Sequence, residues 1–211
     1  MKETIRRASG AGCVAAGAAL LLCAASLSLR GWIWQERNAG LFNAADALAP
    51  SLAGVSRAPG PGRPPARGEA LARLRIERLG IETVVAEGDD PGTLRLGPGH
   101  MEGSALPGEP DNCIIAGHRD GPFRRLRTAR PGDVVEIADR TRVSRYRVES
   151  VQTVRKDDAG LLAPSRAPIL TLVTCYPFDF VGRAPRRFVV RATLLDDAGA
   201  GDAPTGAPTG S

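Results

Sequence analysis

The chain has 211 residues, enough for one ordinary domain with tails and too few for two large ones. Its 28 basic and 23 acidic residues give a net charge of +5, but Lys2, Arg6, Arg7 and Arg30 against Glu3 supply three of those charges. The remainder carries no basic stripe interleaved with aromatics, which excludes nucleic-acid binding, and an aromatic content of 4% limits the core to Leu, Val, Ile and Ala.

Lys2, Arg6 and Arg7 precede an uncharged run from Ala8 to Leu29, and Arg30, Trp32 and Trp34 follow it. A mostly apolar run of this length can cross a bilayer core as a helix, and the basic end predicts that residues 1–7 stay in the cytoplasm. Residues 8–30 are therefore expected to form a single-pass anchor in the cell membrane, with the rest of the chain outside the cytoplasm. The rival reading is a cleaved signal peptide, with small residues near Ala24–Ser26 as the processing site.

Residues 31–69 read as a spacer. A short helix is expected over about 35–49, followed by APGPGRPPARG, whose Pro and Gly content precludes a packed core. Residues 70–195 carry the strand signals. LARLRI and IETVVAEG alternate, NCIIAG is a short apolar run, GDVVEIAD follows a Pro-Gly turn, and SRYRVESVQTV alternates at Tyr146, Val148 and Val151. ILTLVTC and RRFVVRATLL complete the series. Short strands separated by Gly, Pro and Asp turns predict an all-β sandwich or barrel. One further short helix is expected around Asp158–Leu162. Residues 196–211 are low in apolar side chains and read as a disordered tail.

Cys13 and Cys23 lie in the apolar run, while Cys113 and Cys175 lie in the folded part. There is no CxxC, and with only His100 and His118 neither a metal site nor a cofactor is expected. Spacing alone leaves open whether Cys113 and Cys175 pair as a disulfide. Cys175 ends the β-branched run ILTLVT, where Tyr176-Pro177 breaks the strand and can present the thiol to solvent. Cysteine is also among the most buried residue types, so a lone strand cysteine by itself favours a core role. His118 likewise follows an apolar strand, IIAG, and supplies the acid–base partner that a nucleophilic thiol requires. Arg186 and Arg187 lie just before FVVRATLL, where a fixed guanidinium could reach a developing oxyanion.

LTLVTCYPFDFVGRAPRRFVVRA, with IIAGHRDGPFRRL and GHMEGSALPGEPDN upstream, resembles the sortases, and class D sortases most. The resemblance implies an eight-stranded sortase-type β-barrel with short helices behind an N-terminal transmembrane helix. It matches Cys175, His118 and Arg187 to the family's cysteine, histidine and arginine, with Arg186 pointing to the opposite face. Thr174 matches the threonine beside the cysteine, in a positioning role. His100, in GPGHMEG, resembles an upstream motif and reads as structural.

The implied reaction is cysteine transpeptidation. Cys175 would attack the Thr carbonyl of an LPxT-type sorting signal on an exported protein. The resulting thioacyl enzyme would pass its acyl group to an amine, from a peptidoglycan precursor or a protein subunit. Two other readings share these residues. One is a sortase-like cysteine hydrolase; the other is a non-catalytic, membrane-anchored β-domain that binds peptide.

Overall fold

The computed structural model describes residues 2–42, 65–140, 142–158, 160 and 163–195. One helix, α1 (Lys2–Ala39), precedes eight strands: β1 (Ala70–Ile76), β2 (Ile81–Glu87), β3 (Gly99–His100), β4 (Asn112–Gly117), β5 (Val134–Ala138), β6 (Val143–Arg155), β7 (Ile169–Tyr176) and β8 (Arg186–Leu194). The strands close into a barrel in the order β1-β2-β3-β4-β7-β8-β6-β5, and β1 pairs with β5 to complete the ring. This is the eight-stranded all-β fold expected from the sequence.

Every expected strand segment is a strand, and β3 is an addition. At two residues it is too short to show a period. The first segment is divided as its pattern requires. β1 alternates, with Ala70, Ala72, Leu74 and Ile76 turned to the core. A 3-10 turn over Glu77–Leu79 follows, closed by Gly80 at φ 60°, a left-handed conformation that glycine adopts without steric cost. In β6 the register shifts between Val148 and Ser150, a bulge that interrupts the inward sequence Ser144, Tyr146, Val148.

Most neighbouring strands are antiparallel, but β4 and β7 run parallel from Asn112↔Ile169 to Gly117↔Thr174. Both have neighbours on either side and read as near-continuous apolar runs, the pattern of strands covered on both faces. Two side chains fasten this pair. Thr171 Oγ1 donates to Asn112 Oδ1 at 2.7 Å, and Thr174 Oγ1 donates to the Gly117 carbonyl at 2.7 Å. The interior is filled by Leu74, Ile76, Ile115, Ile137, Tyr146, Leu170 and Leu172. Phe123 and Leu126, from a 3-10 helix over Pro122–Thr128, seal the end of the barrel beside β4. The Phe123 ring lies so close to Gly117 that a Cβ there would meet its Cδ2 at 2.6 Å.

α1 differs from expectation at its distal end. The helix runs unbroken from the anchor region through Ala39, with no separate helix beginning near residue 35. No proline interrupts the stretch, and Gly31 is accommodated because it packs against the Arg95 carbonyl. Trp34 packs with Phe42, Ala70 and Val84 on the barrel wall. Among the described residues no helix is long and apolar enough to qualify as a membrane span, since Ala, Gly and Ser dilute the leucines. Most of the expected spacer, residues 43–49 of the short helix, residues 159, 161 and 162 of the second helix, and the 196–211 tail lie outside the described residues.

Candidate active site

Three adjacent strands deliver the expected residues to one end of the barrel. Cys175 sits in the last turnout of β7, directly opposite Arg187 of β8. Residues directly opposed on antiparallel strands project to the same face. On the other side of β7, Gly117 pairs with Thr174, so the next step along the parallel pair brings His118 beside Cys175. His118 is exposed and Cys175 is half-buried, which leaves both within reach of a ligand. Thr174 is buried and turned to the opposite side, where its hydroxyl holds β7 to the end of β4. It positions both neighbours without facing the site.

Arg186 and Arg187 do not precede β8 but form its first two residues, and Arg186 pairs with Tyr176. The Arg187 guanidinium donates from Nη1 to the carbonyls of Arg186 (3.0 Å) and Ala184 (3.3 Å), which ties it to the start of its own strand. His118 and Cys175 are adjacent without a hydrogen bond between them among the described residues. Such catalytic contacts often tighten only when substrate is bound.

Nothing in the sequence indicates how the loop after Cys175 is held. Arg119, next to His118, donates from Nη1 to the Pro177 carbonyl and from Nη2 to the Gly182 carbonyl, both at 3.0 Å. With its side chain only 12% exposed, it ties the end of β4 to the β7–β8 loop. Asp179 in that loop accepts 2.6 Å bonds from Arg127 and Arg124. The Arg127 bond, with Arg124 adding to it, holds the Asp179 carboxyl below its ordinary pKa against the opposing effect of burial. Tyr176, Phe178 and Phe188 pack as an aromatic cluster on the face of β7 and β8 opposite to Cys175, with Arg127 5.3 Å above the Phe178 ring. They line a cleft of about 360 Å³.

Cys23, Cys113 and His100 stand apart. Cys23, Cys113 and Cys175 are all free thiols. Cys113 pairs with Leu170, five residues before Cys175, so the two strand cysteines occupy different levels of the barrel. Burial pushes the Cys113 thiol up to about 12. His100 is buried, with Nδ1 2.8 Å from Glu87 Oε2 and Nε2 2.9 Å from both the Ala105 carbonyl and Ser104 Oγ. It is enclosed in the wall formed by β2, β3 and the following loop. Among the described residues no group of three or more His, Cys, Asp or Glu side chains gathers in a metal-binding arrangement.

A closed barrel that brings a thiol, an imidazole and a guanidinium to strand ends at one rim holds groups suited to nucleophilic acyl chemistry. The sortase domain model matches residues 74–195. Sortase D of Bacillus subtilis (strain 168) is 33% identical over 127 residues, which span 60% of this chain and 64% of that relative's length. Among solved structures, the sortase D5 transpeptidase of Clostridium perfringens superposes with a TM-score of 0.62 at 26% identity, covering 81% of this chain and 99% of that one. The catalytic domain of B. anthracis SrtD gives 0.55 at 29% identity, covering 67% and 97%. The chain belongs to the sortase family, whose members are cysteine transpeptidases.

Proposed function

We propose that this protein cleaves an LPxT-type sorting signal on exported proteins and transfers the acyl fragment to an amine. The observation that carries the reading is the strand register: Cys175 opposite Arg187, with His118 one step past the Gly117↔Thr174 pair. The Cys175 thiolate attacks the Thr carbonyl of the signal, and the Arg187 guanidinium donates to the oxygen as it takes up negative charge. His118 protonates the amine as the C–N bond breaks, leaving a thioester on Cys175. In the second half-reaction an amine nitrogen attacks that thioester, His118 takes its proton, and the thiolate departs. The acceptor is a peptidoglycan precursor or a protein subunit.

Residues 8–30 hold the enzyme to the cell membrane, with residues 1–7 inside and the barrel outside. The uncharged run of α1 is long enough to cross a bilayer core, and Leu20, Leu21, Leu22 and Leu29 stand exposed on it. Basic residues at its start suit a helix whose first residues stay on the cytoplasmic side.

The test is product analysis by mass spectrometry after incubating the protein with LPxTG and LPxTA peptides and an added amine. The reading expects an amide-exchanged product that disappears in Cys175→Ala. Hydrolysed peptide as the sole product, with amine present, would make the protein a hydrolase. Peptide binding without turnover would leave a binding domain.

A further inference from the structure

We infer that the cleft between α1 and the end of β4 receives the acyl acceptor, and that α1 is its outer wall. The inference rests on the transpeptidase reading above and adds where the second substrate binds.

β3 covers β2 only at Ala86 and Glu87, so the edge of β2 at Thr83–Val84 would otherwise be open. Gln35 of α1 fills it. Its Nε2 donates to the carbonyls of Val84 and Leu96, both at 2.9 Å, while its Oε1 accepts from the Val84 N–H (2.7 Å) and Thr83 Oγ1 (3.1 Å). One side-chain amide thus replaces a missing strand partner. Gly31 lets the helix approach closely, because a Cβ there would meet the Arg95 oxygen at 2.5 Å. These contacts fix α1 at a defined distance from β4.

The space left between them is an open cleft of about 600 Å³, with Trp32 and Gln35 on one side and Gly117, His118, Asp120 and Phe123 on the other. That volume lies in the range of small-ligand sites. His118 therefore faces this cleft, while Tyr176, next to Cys175, faces the aromatic cleft. The chemistry distinguishes the two. The group that protonates the departing amine must, by reversibility, deprotonate the arriving one, so both amines pass on the His118 side. An acceptor bound here brings its amine to the thioester: a C–N bond forms, the C–S bond breaks, the thiolate returns to Cys175, and His118 carries the proton. Asp120 is the acidic group of the lining, and Arg95, Arg119 and Arg124 beside it offset its charge, so the cleft suits the neutral amine that attacks a thioester. The class of ligand is a primary amine carried on a peptide-sized group.

The experiment follows the full-length chain in two phases: release of the leaving fragment from an LPxTG peptide as a burst, then thioester consumption by triglycine or by hydroxylamine. Hydroxylamine is too small to span the cleft to Trp32. Trp32 is 61% exposed, so Trp32→Ala should leave folding intact. It should raise the KM for triglycine about ten-fold, the size of one lost aromatic contact, and leave hydroxylamine consumption unchanged. Gln35→Ala, which frees the wall, should act in the same direction, with thermal unfolding used to verify the barrel. Arg37→Ala, exposed and about 140° around α1 from Trp32, should change neither acceptor. An unaltered triglycine KM in Trp32→Ala, or equal losses with both acceptors, would overturn the inference while leaving the transpeptidase intact. Absence of a burst in the unaltered protein would instead overturn the transpeptidase reading and this inference with it.

Discussion

Replacing His100 with alanine should unfold this barrel well before it affects the chemistry. Hydrogen-bond roles around the ring are set by its neighbours. Ser104 Oγ donates to the Met101 carbonyl, so toward His100 it accepts, and the Ala105 carbonyl can only accept. Nε2 therefore carries a proton, and Nδ1 presents another to the Glu87 carboxylate. These neighbours favour the protonated ring. Burial pulls its pKa down as the largest single influence, but the Glu87 hydrogen bond and charge, the Ala105 carbonyl and Glu109 together raise it above 6.5. The two side chains are 2% and 11% exposed. Removing the ring leaves the Glu87 carboxylate buried without its cation, a loss of about 3–5 kcal/mol for such a pair. For a domain of this size that lowers Tm by ~10 °C or more.

The pH dependence has a fixed sign. Because the folded pKa is raised, the stabilisation is fully present below about 6.5, the unfolded value, and is lost as pH rises through the folded pKa. The Tm difference between the unaltered protein and His100→Ala should therefore be greater at pH 5.5 than at high pH. Thermal unfolding followed by circular dichroism reads both quantities. An unchanged Tm in His100→Ala would refute the reasoning, as would loss of thioester formation at full stability, since that would place His100 in the chemistry.

Other expectations concern the site itself. Arg187→Ala should lower kcat/KM about 10²–10³-fold in a peptide-cleavage assay, the usual loss for one oxyanion donor, while Arg186→Ala changes it less than about three-fold. Thr174→Val removes the buried bond to Gly117 and should cost about 1–3 kcal/mol in denaturant unfolding, with peptide cleavage slowed because the Cys175 and His118 strand ends are no longer fastened. Cys113, buried with its thiol pushed up to about 12, should resist iodoacetamide at pH 8 in the folded protein while Cys175 is alkylated; peptide mapping decides this.

How much of this was legible depends on the range of the interaction. Alternation of Ala72, Leu74 and Ile76, and the apolar runs of β4 and β7, announce strands because each residue's environment repeats locally. Barrel closure is not written in any one segment; it came with the resemblance to sortases. β3 was invisible because Gly99 and His100 are too few to show a period. Cys175, His118 and Arg187 stood out only through the resemblance to sortases, since each taken alone reads as a core or surface residue, and the ties around them were not legible at all. Arg119 reaches carbonyls 58 and 63 residues away, and nothing beside it in sequence indicates those acceptors. Gln35 is likewise one polar residue on a helix, and only the short reach of β3 explains why its amide is needed.

The measurement that tests the central claim most directly is the intact mass of the protein, quenched in acid moments after mixing with an LPxTG peptide. The account predicts one added acyl fragment, mapped to Cys175, removed by hydroxylamine and absent from Cys175→Ala. A folded protein that cleaves the peptide without ever carrying that adduct, or that carries it on another residue, would contradict the account.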